Sequence, residues 1–301
     1  MTEKQLPSEK YRLTVIVTTC NRVRLLRRCL HSIFMQPFVR EVIVVDDNSS
    51  DTTMRYIRIL KRSVGKLVYI RNEFNRGACY SRNVGIENAN STYITFVDDD
   101  DYLLPDRFGS MLELFKSKSY SFISSGRLAD LNYGEIIKAS PGQFFGDIFI
   151  RNISMLNQID IGFIAEKRKL LQIGGFDPSL PCFHDWDIVI RLINEFGSGF
   201  KINKFSYVVN ERSDLTRITN KARQRDGFIA IKVKHGSKID KKSKIILNWE
   251  IKYRTHRINL SDFSFIADCF MTRSLRPVYL FFKKYFNLLF VYFLVLVDKC
   301  T

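Results

Sequence analysis

The sequence predicts an α/β fold in which a mostly parallel sheet is flanked by helices. Two observations carry this prediction: short β-branched runs alternate with amphipathic stretches over the first hundred residues, and 46% of the 301 residues are hydrophobic. Strict alternation of strand and helix is typical of a parallel sheet that is covered on both faces. The hydrophobic share is enough for a sizeable core, which excludes a disordered chain.

The first hundred residues predict four buried strands with three helices between them. Near-continuous runs of Val, Ile and Leu are typical of strands that helices cover on both sides. The strands are expected at 13–17, 41–45, 67–70 and 93–97. Apolar residues at helical spacing predict the helices at about 25–33, 54–60 and 78–88.

From residue 120 to 210 the alternation is looser, and we expect this segment to complete the same domain. Shorter strands are expected at 122–125, 136–138, 159–165 and 207–209. Gly174 and Gly175 indicate a turn, and a helix is expected to begin at Asp185. After residue 210 the chain becomes basic and then aromatic, which predicts a mostly helical appendage.

The positive charge lies almost entirely in the last third of the chain. The formal net charge is +16; residues 1–200 hold 26 basic and 23 acidic side chains, and residues 201–301 hold 21 and 8. This excess predicts an anionic partner, which could be nucleic acid, an acidic lipid surface or a phosphate-rich substrate. The six cysteines include no C-x-x-C pair, so no zinc site is expected. The N-terminus lacks the apolar segment of a secretory signal, and we expect a cytoplasmic protein with reduced thiols.

Polar and acidic residues follow three of the predicted strands. Ligands of parallel sheets bind beyond the carboxyl ends of the strands, so we expect a binding site at this edge. The three strand ends are Thr18-Thr19-Cys20-Asn21, Asp46-Asp47-Asn48-Ser49 and Asp98-Asp99-Asp100-Asp101.

The four consecutive aspartates predict a divalent cation. Like charges at that spacing repel one another, and a hard cation with oxygen ligands is the usual remedy. Because alternate residues of an extended segment face the same side, Asp98 and Asp100 are expected to reach one ion together. Such an ion most often serves a phosphate, and Arg82 and Arg76 could add phosphate contacts. The alternative is a solvated turn before the next helix.

Five ordered motifs resemble those of the family 2 glycosyltransferases. Four of them fall within residues 13–107, and the resemblance continues to about residue 200. The motifs are Thr18-Thr19-Cys20-Asn21-Arg22, the run from Val44 to Asp51, Asn75-Arg76-Gly77 with Ser81-Arg82-Asn83, the run from Phe96 to Asp101 with Pro105-Asp106, and Gly174-Gly175-Phe176-Asp177 with His184-Asp185-Trp186-Asp187 and Arg191.

The resemblance implies a GT-A fold, which is a Rossmann-like nucleotide-diphospho-sugar transferase domain. It implies inverting transfer of a sugar from a nucleotide-diphosphate donor, by default a UDP-sugar, with Mn²⁺ or Mg²⁺ as the cofactor. The catalytic domain would cover 1–210, with a nucleotide-binding half at 13–107 and an acceptor-side half at 108–210, and 211–301 would form the basic, aromatic-rich extension.

The resemblance also implies roles for single residues. The residues expected to bind the nucleotide sugar are Thr18, Asn21, Asp47, Arg82, Asp98 and Asp99. Asp98 and Asp100 would hold the metal; four adjacent aspartates leave more than one register open, and the spacing to Pro105 favours Asp100.

The general base is expected on the acceptor side. Inverting transfer needs a carboxylate that takes the proton of the attacking hydroxyl. Asp185 matches the family's base position and Asp187 is the fallback. The family usually has an acidic residue just before the base, where this chain has His184.

The C-terminal segment predicts contact with a membrane surface. Its uninterrupted apolar part, from Leu288 to Val297, would span about 15 Å as a helix against a hydrocarbon core of roughly 30 Å, so it is too short to cross. An interfacial helix fits better, with its basic residues on lipid phosphates and its aromatic residues in the acyl boundary. The residues expected in these roles are Arg273, Arg276, Lys283 and Lys284, and Phe281, Phe282, Phe286, Phe290 and Phe293. The alternative is that the aromatic helix packs on protein.

A membrane surface is consistent with a lipid-linked acceptor. The acceptor is expected to be a polyprenyl-diphosphate-linked oligosaccharide or a lipopolysaccharide or O-antigen glycan, and the enzyme to be peripheral on the cytoplasmic face of the inner membrane.

Two other functions compete with this hypothesis. A sugar nucleotidyltransferase would share the sheet and the acidic pair, but it generally needs a glycine-rich loop after the first strand, and residues 18–28 contain no glycine. A non-enzymatic nucleic-acid-binding protein would use the basic C-terminal third. No recognition motif accompanies those lysines, so no nucleic-acid partner is expected.

Overall fold

The computed structural model describes residues 12–131, 137–139, 143–153, 157–211, 221–255, 257–258, 262 and 264–285. The chain divides into two compact units. The larger unit takes in the described parts of Met1–Ile150, Gln158–Ser179 and His184–Thr216. The smaller unit takes in those of Arg151–Asn157, Leu180–Phe183 and Arg217–Thr301.

The strands of the larger unit form one sheet, which holds ten strands in the described part of the chain. Their bounds are β1 Leu13–Thr19, β2 Val39–Asp46, β3 Leu67–Arg71, β4 Tyr93–Asp98, β5 Tyr102–Leu103, β6 Ile123–Asp130, β7 Ile137–Ala139, β8 Gly146–Ile148, β9 Ile164–Glu166 and β10 Gly199–Asn210. The strand order is β3-β2-β1-β4-β9-β6-β10-β5, with β7 paired to β6 and β8 to β10.

The first four strands are parallel neighbours, so their carboxyl ends lie at the same edge. In the register, Thr18 of β1 lies between Val45 of β2 and Asp98 of β4. Strand β9 runs antiparallel between β4 and β6, and β6 is parallel to β10. The predicted α/β fold with a helix-flanked sheet is confirmed; the sheet was expected to be mostly parallel, and it is parallel over its first four strands and mixed beyond them.

Helices flank the sheet and also build most of the smaller unit. Their bounds are α1 Val23–Phe34, α2 Thr53–Lys61, α3 Ala78–Asn88, α4 Phe108–Ser117, α5 Ile150–Ile153, α6 Lys167–Gln172, α7 His184–Phe196, α8 Lys221–His235, α9 Lys241–Arg254, α10 Ser264–Thr272 and α11 Arg276–Tyr285.

Helix α3 lies very close to the sheet because of Gly85. A Cβ at this position would lie 2.5 Å from a methyl carbon of Ile16 in β1. Since real contacts of this kind are much longer, a larger residue would push the helix outwards. The same helix carries Arg82, so this close packing helps to fix the position of that side chain.

The strand predicted at 159–165 is wrong in extent, because only Ile164–Glu166 is a strand there. Ile159 and Phe163 are buried all the same, so burial explains the apolar pattern without strand pairing. Strands β5 and β8 were not expected, because two or three residues are too few to show a periodicity.

The smaller unit has an aromatic core of its own. Its buried residues include Trp249, Ile258, Phe265, Leu280 and Phe281. The expectation that Phe281 enters lipid is therefore wrong: its ring stacks on Phe265 at 4.5 Å between centroids.

Arg276 also differs from the expectation of a lipid-phosphate contact. Its guanidinium donates to the buried carboxylate of Glu250. Of the other residues predicted to meet lipid, Phe286, Phe290 and Phe293 lie outside the described residues, as does the stretch from Leu288 to Val297. Among the helices that the structure describes, none combines the length and apolar character that a bilayer-crossing segment requires.

Candidate functional site

The carboxyl ends of β1, β2 and β4 bring the predicted nucleotide-binding residues to one edge of the sheet. Thr18 is the register partner of Asp98, and the backbone N–H of Asp47 donates to the carbonyl of Thr19 at 2.8 Å. Both Thr18 and Asp47 are buried. The edge is thus formed by adjacent strand ends, as the positions of the polar runs predict.

Asp47 anchors the loop that leads into α3. Its carboxylate accepts hydrogen bonds from the side chain of Asn72 at 2.8 Å and from the backbone N–H groups of Arg76 and Gly77 at 2.9 and 2.7 Å. Gly77, with a φ of 84°, adopts a conformation that favours glycine. The loop-anchoring contacts of Asp47 were not expected from the sequence.

Asn21 joins the loops that follow β1 and β2. Its side-chain oxygen accepts hydrogen bonds from the backbone N–H groups of Ser50 and Asp51, at 2.7 and 3.2 Å. Its φ of 56° lies in the left-handed region, which asparagine tolerates better than most residues. Asn21 therefore holds the rim of the edge in shape.

The four aspartates after β4 divide into two pairs. The side chains of Asp98 and Asp100 are 39% and 29% exposed, whereas Asp99 and Asp101 are both 5% exposed. Asp98 and Asp100 therefore present carboxylates to ligands, and Asp99 and Asp101 lie within the protein.

The buried pair is held by protein groups. Asp99 accepts a hydrogen bond of 2.7 Å from the Thr19 hydroxyl, and Asp101 accepts one of 2.9 Å from the backbone N–H of Asn210. Burial, together with the charges of Asp100 and Asp98, raises the pKa of Asp99 to about 7 and that of Asp101 well above its ordinary value. Both buried acids therefore favour the protonated, neutral form more than an exposed aspartate does.

Among the described residues, two arginines contact the carboxylates of this run, and a third, Arg28, donates to the backbone carbonyl of Asp100. Arg82 of α3 donates to Asp98 at 2.6 Å, and Arg22 lies 3.3 Å from Asp99 and 3.1 Å from Asp100. Burial lowers the pKa of Arg82, but the carboxylate of Asp98 more than offsets this, so the pKa is raised and the guanidinium is charged. Arg22 lies in the motif that follows β1, but no role was predicted for it.

The residues present fit a divalent cation. Carboxylate oxygens of Asp98, Asp100 and Asp101 lie within 4.8 Å of one another. Oxygen ligands of one such ion lie about 2.0–2.6 Å from it, so their mutual distances fall in this range. The side-chain amide of Asn210 is also buried beside Asp101, without a hydrogen-bond partner among the described residues. Asp98 and Asp100 were expected as ligands; the structure adds Asp101 to the cluster.

Asp185 and Asp187 lie in the first turn of α7, in different environments. Asp187 is fully buried and accepts two hydrogen bonds from Arg191, at 2.9 and 2.7 Å. Arg191 also donates to the carbonyls of Ile173 and Gly175. Asp187 thus secures the turn before the helix, which argues against its fallback role as a base.

Asp185 is half-buried in the first turn of α7. One of its carboxylate oxygens accepts the backbone N–H of Trp186 at 2.9 Å. Its charge also contributes to the raised pKa values of Arg82 and Arg127. The predicted base therefore lies near the arginine that contacts Asp98.

Asn83 links α3 to the turn at Gly175. Its side chain both accepts from the backbone N–H of Phe176 at 2.7 Å and donates to the carbonyl of that residue at 2.8 Å. Gly175 has a φ of 66°, and a Cβ there would lie 2.4 Å from the Asn83 side-chain oxygen. The motif that contains Asn83 and the motif that begins at Gly174 are far apart in sequence, and these hydrogen bonds join them.

Comparison with known proteins identifies the family. The model of glycosyl transferase family 2 matches residues 14–171, just over half of the chain. The chain belongs to glycosyl transferase family 2. The protein is therefore a glycosyltransferase, and the alternatives of a sugar nucleotidyltransferase and a non-enzymatic nucleic-acid-binding protein are not supported.

Named relatives of this glycosyltransferase come from bacterial polysaccharide biosynthesis. A putative colanic acid biosynthesis glycosyl transferase of Escherichia coli K12 is 26% identical over 245 residues, which cover 77% of this chain and 84% of the relative. An Escherichia coli protein named UDP-Glc:α-D-GlcNAc-diphosphoundecaprenol β-1,3-glucosyltransferase is 23% identical over 65% of this chain and 78% of its own length.

The fold is that of a GT-A glycosyltransferase. Residues 1–349 of Staphylococcus aureus TarS, crystallised with UDP-GlcNAc, match with a TM-score of 0.63 and 17% identity over 90% of this chain and 79% of that one. The GT-A fold implied by the sequence motifs is confirmed.

Proposed function

We propose that this glycosyltransferase moves a sugar, with inversion, from a UDP-sugar to a hydroxyl of a lipid-linked glycan. The observation that carries the proposal is the common environment of Asp98, Arg82 and Asp185. In this arrangement the group proposed to contact the donor phosphates would be close to the group proposed to activate the acceptor. UDP is supported by the donor named for the Escherichia coli relative and by the ligand crystallised with TarS.

The donor side is assigned to the strand ends. Thr18, Asn21 and Asp47 would shape the pocket for the base and ribose, with Asn21 and Asp47 acting through the loops that they hold. Asp99 would act through Arg22, which it orients from its buried position. Arg82 would meet the donor once phosphate oxygens compete for the contact that it makes with Asp98.

The metal is assigned to Asp98 and Asp100, with Mn²⁺ or Mg²⁺ as the ion. When bound, the ion would neutralise the charge that develops on the leaving diphosphate. Asp101 is the buried member of the same carboxylate cluster, and the backbone N–H of Asn210 holds its carboxylate in place. Arg22 and Arg82 hold positive charge at the same place, and this charge would stabilise a bound diphosphate.

The general base is assigned to Asp185. Its carboxylate would take the proton of the acceptor hydroxyl as that oxygen attacks the anomeric carbon from the face opposite the diphosphate. The hydrogen bond from Trp186 holds one carboxylate oxygen at the head of α7, which fixes the direction of the other.

The catalytic domain is proposed to cover residues 1–210 and the extension 211–301. Relatives named for undecaprenol-linked substrates, including one from Campylobacter jejuni, support a lipid-linked acceptor. With such an acceptor, the enzyme would work as a peripheral protein on the cytoplasmic face of the membrane.

Release of nucleoside diphosphate tests this function. The purified protein is incubated with UDP-, GDP- and dTDP-sugars and Mn²⁺, and Asp100→Ala and Asp185→Asn are compared with wild type. A matched control is Glu113→Gln, which changes an exposed carboxylate on α4. The proposal expects turnover with a UDP-sugar that both site variants lose and the control keeps. Turnover that survives in both site variants would refute the assignment.

A further inference from the structure

Helix α10 has a second apolar face that the core of the smaller unit does not cover. Phe265 points into that core and stacks on Phe281. One residue further on, Ile266 is 51% exposed, and Phe270 is 82% exposed. Residues four positions apart lie on the same side of a helix, so these two side chains form one outward ridge. A surface helix normally presents polar groups there.

A groove runs beside this ridge. It has a cavity volume of about 380 Å³, and its lining is mostly apolar, with Ile266, Phe270, Leu275 and Val278 among the residues that form it. An exposed ridge joined to an apolar groove is typical of an interaction site.

The charge around the ridge indicates what it contacts. Arg273 lines the groove and is exposed. Between Ser264 and Tyr285 the sequence holds four basic residues, Arg273, Arg276, Lys283 and Lys284, and one acidic residue, Asp268. The carboxylate of Asp268 accepts a hydrogen bond of 2.8 Å from the indole N–H of Trp249. The groove therefore combines apolar side chains with one exposed arginine, Arg273.

We propose that the ridge of Ile266 and Phe270, with Arg273, is a contact surface for an anionic phospholipid bilayer. A bilayer offers both components that this surface complements: phosphates for the arginine and an acyl boundary for the aromatic ring. This surface takes the role that the sequence analysis predicted for Phe281, whose side chain lies in the core of the smaller unit. The proposal concerns the smaller unit alone and does not depend on the transfer reaction.

Flotation of the full-length protein with lipid vesicles tests the proposal. The vesicles contain phosphatidylethanolamine and phosphatidylglycerol at 3:1, and vesicles of phosphatidylcholine alone serve as the neutral comparison. Wild type should float with the anionic vesicles and much less with the neutral ones. Phe270→Ser should lower the partition coefficient about tenfold, because it removes a large apolar group from the contact. Arg273→Gln should lower it several-fold and only at low salt.

The matched control is Val233→Ser in α8. Val233 belongs to the same unit and is 80% exposed, but it does not line the groove. This variant should float like wild type. Circular dichroism and thermal melting check that all variants fold. We expect them to fold, because the substituted side chains lie at the surface.

Three results would overturn the proposal. Wild type could fail to float with anionic vesicles. Phe270→Ser could float as well as wild type, which would assign any lipid contact to another part of the chain. Light scattering could show a dimer that Phe270→Ser dissociates, which would make the ridge an interface between two copies.

Discussion

Replacing Asp185 and Asp187 of α7 one at a time by asparagine should show which of them has a structural role and which a catalytic one. Asp187→Asn removes the negative partner of Arg191, and the pair is buried on the aspartate side. Breaking a buried ion pair costs about 3–5 kcal/mol. We expect the low end, about 3 kcal/mol, because Arg191 keeps its bonds to the carbonyls of Ile173 and Gly175.

The same cost can be expressed as a melting temperature. For a domain of this size, 1 kcal/mol corresponds to about 2–4 °C, so Asp187→Asn should melt about 6–12 °C below wild type. Below its melting range, the folded fraction should retain most of its activity. Differential scanning fluorimetry and donor turnover at 20 °C measure the two quantities on the same sample.

Asp185→Asn should behave in the opposite way. Asp185 is half-buried and accepts the backbone N–H of its neighbour Trp186, which the side-chain oxygen of asparagine can also accept, so the melting temperature should stay within about 2 °C of wild type. Loss of a general base should lower kcat about 10²–10⁴-fold. If Asp187→Asn melts like wild type and loses turnover, while Asp185→Asn keeps it, the assignment of base and anchor is reversed and our reasoning fails.

The remaining predictions concern the metal, the donor arginine and the turn at Gly175. Asp100→Asn should lose Mn²⁺-stimulated turnover, and EDTA should abolish activity of wild type in a way that added Mn²⁺ restores; activity unchanged by EDTA would refute the metal site. Arg82→Gln should raise the KM for the nucleotide sugar about tenfold or more, because a charge-assisted hydrogen bond is lost; an unchanged KM would remove Arg82 from the donor site. Gly175→Ala should lower the free energy of unfolding by at least about 2 kcal/mol, because the left-handed backbone and the nearby Asn83 oxygen both oppose a Cβ; equal denaturant midpoints would contradict this.

Much of the fold could be predicted because three of the first four strands, β1, β2 and β4, are buried on both faces over most of their length. Their Val and Ile runs are nearly continuous, and each ends in polar residues where the chain leaves the sheet, as at Thr18 and Asp98. The later strands give a weaker signal. Strand β10 starts at Gly199 and includes the buried Lys201, whose ammonium donates to the carbonyl of Gln158. A lysine inside a strand hides the apolar pattern on which the prediction depends.

The site was predictable in composition but not in contacts. The sequence indicated which residues meet at the edge, because parallel strand ends lie together. It could not show that Asp187 would bind Arg191, since Asp185 lies in the same helical turn and is equally acidic. Nor could it show that Asn210, 109 residues after Asp101, donates to that aspartate. Such contacts depend on tertiary packing and have no local sequence signal.

Several aspartates of the predicted site are bound by groups of the protein, so fewer of them are accessible as metal ligands than the acidic motifs alone indicate. A buried carboxylate is stable only when donors or cations surround it. Asp47 meets this condition with two backbone N–H groups and Asn72, and Asp187 meets it with Arg191. Asp98 and Asp100 are the exposed members of their run, and both still lie beside an arginine. Asp98 and Asp100 are therefore the more exposed carboxylates of this run, whereas Asp47, Asp99 and Asp187 are bound by protein groups and hold its loops and turns.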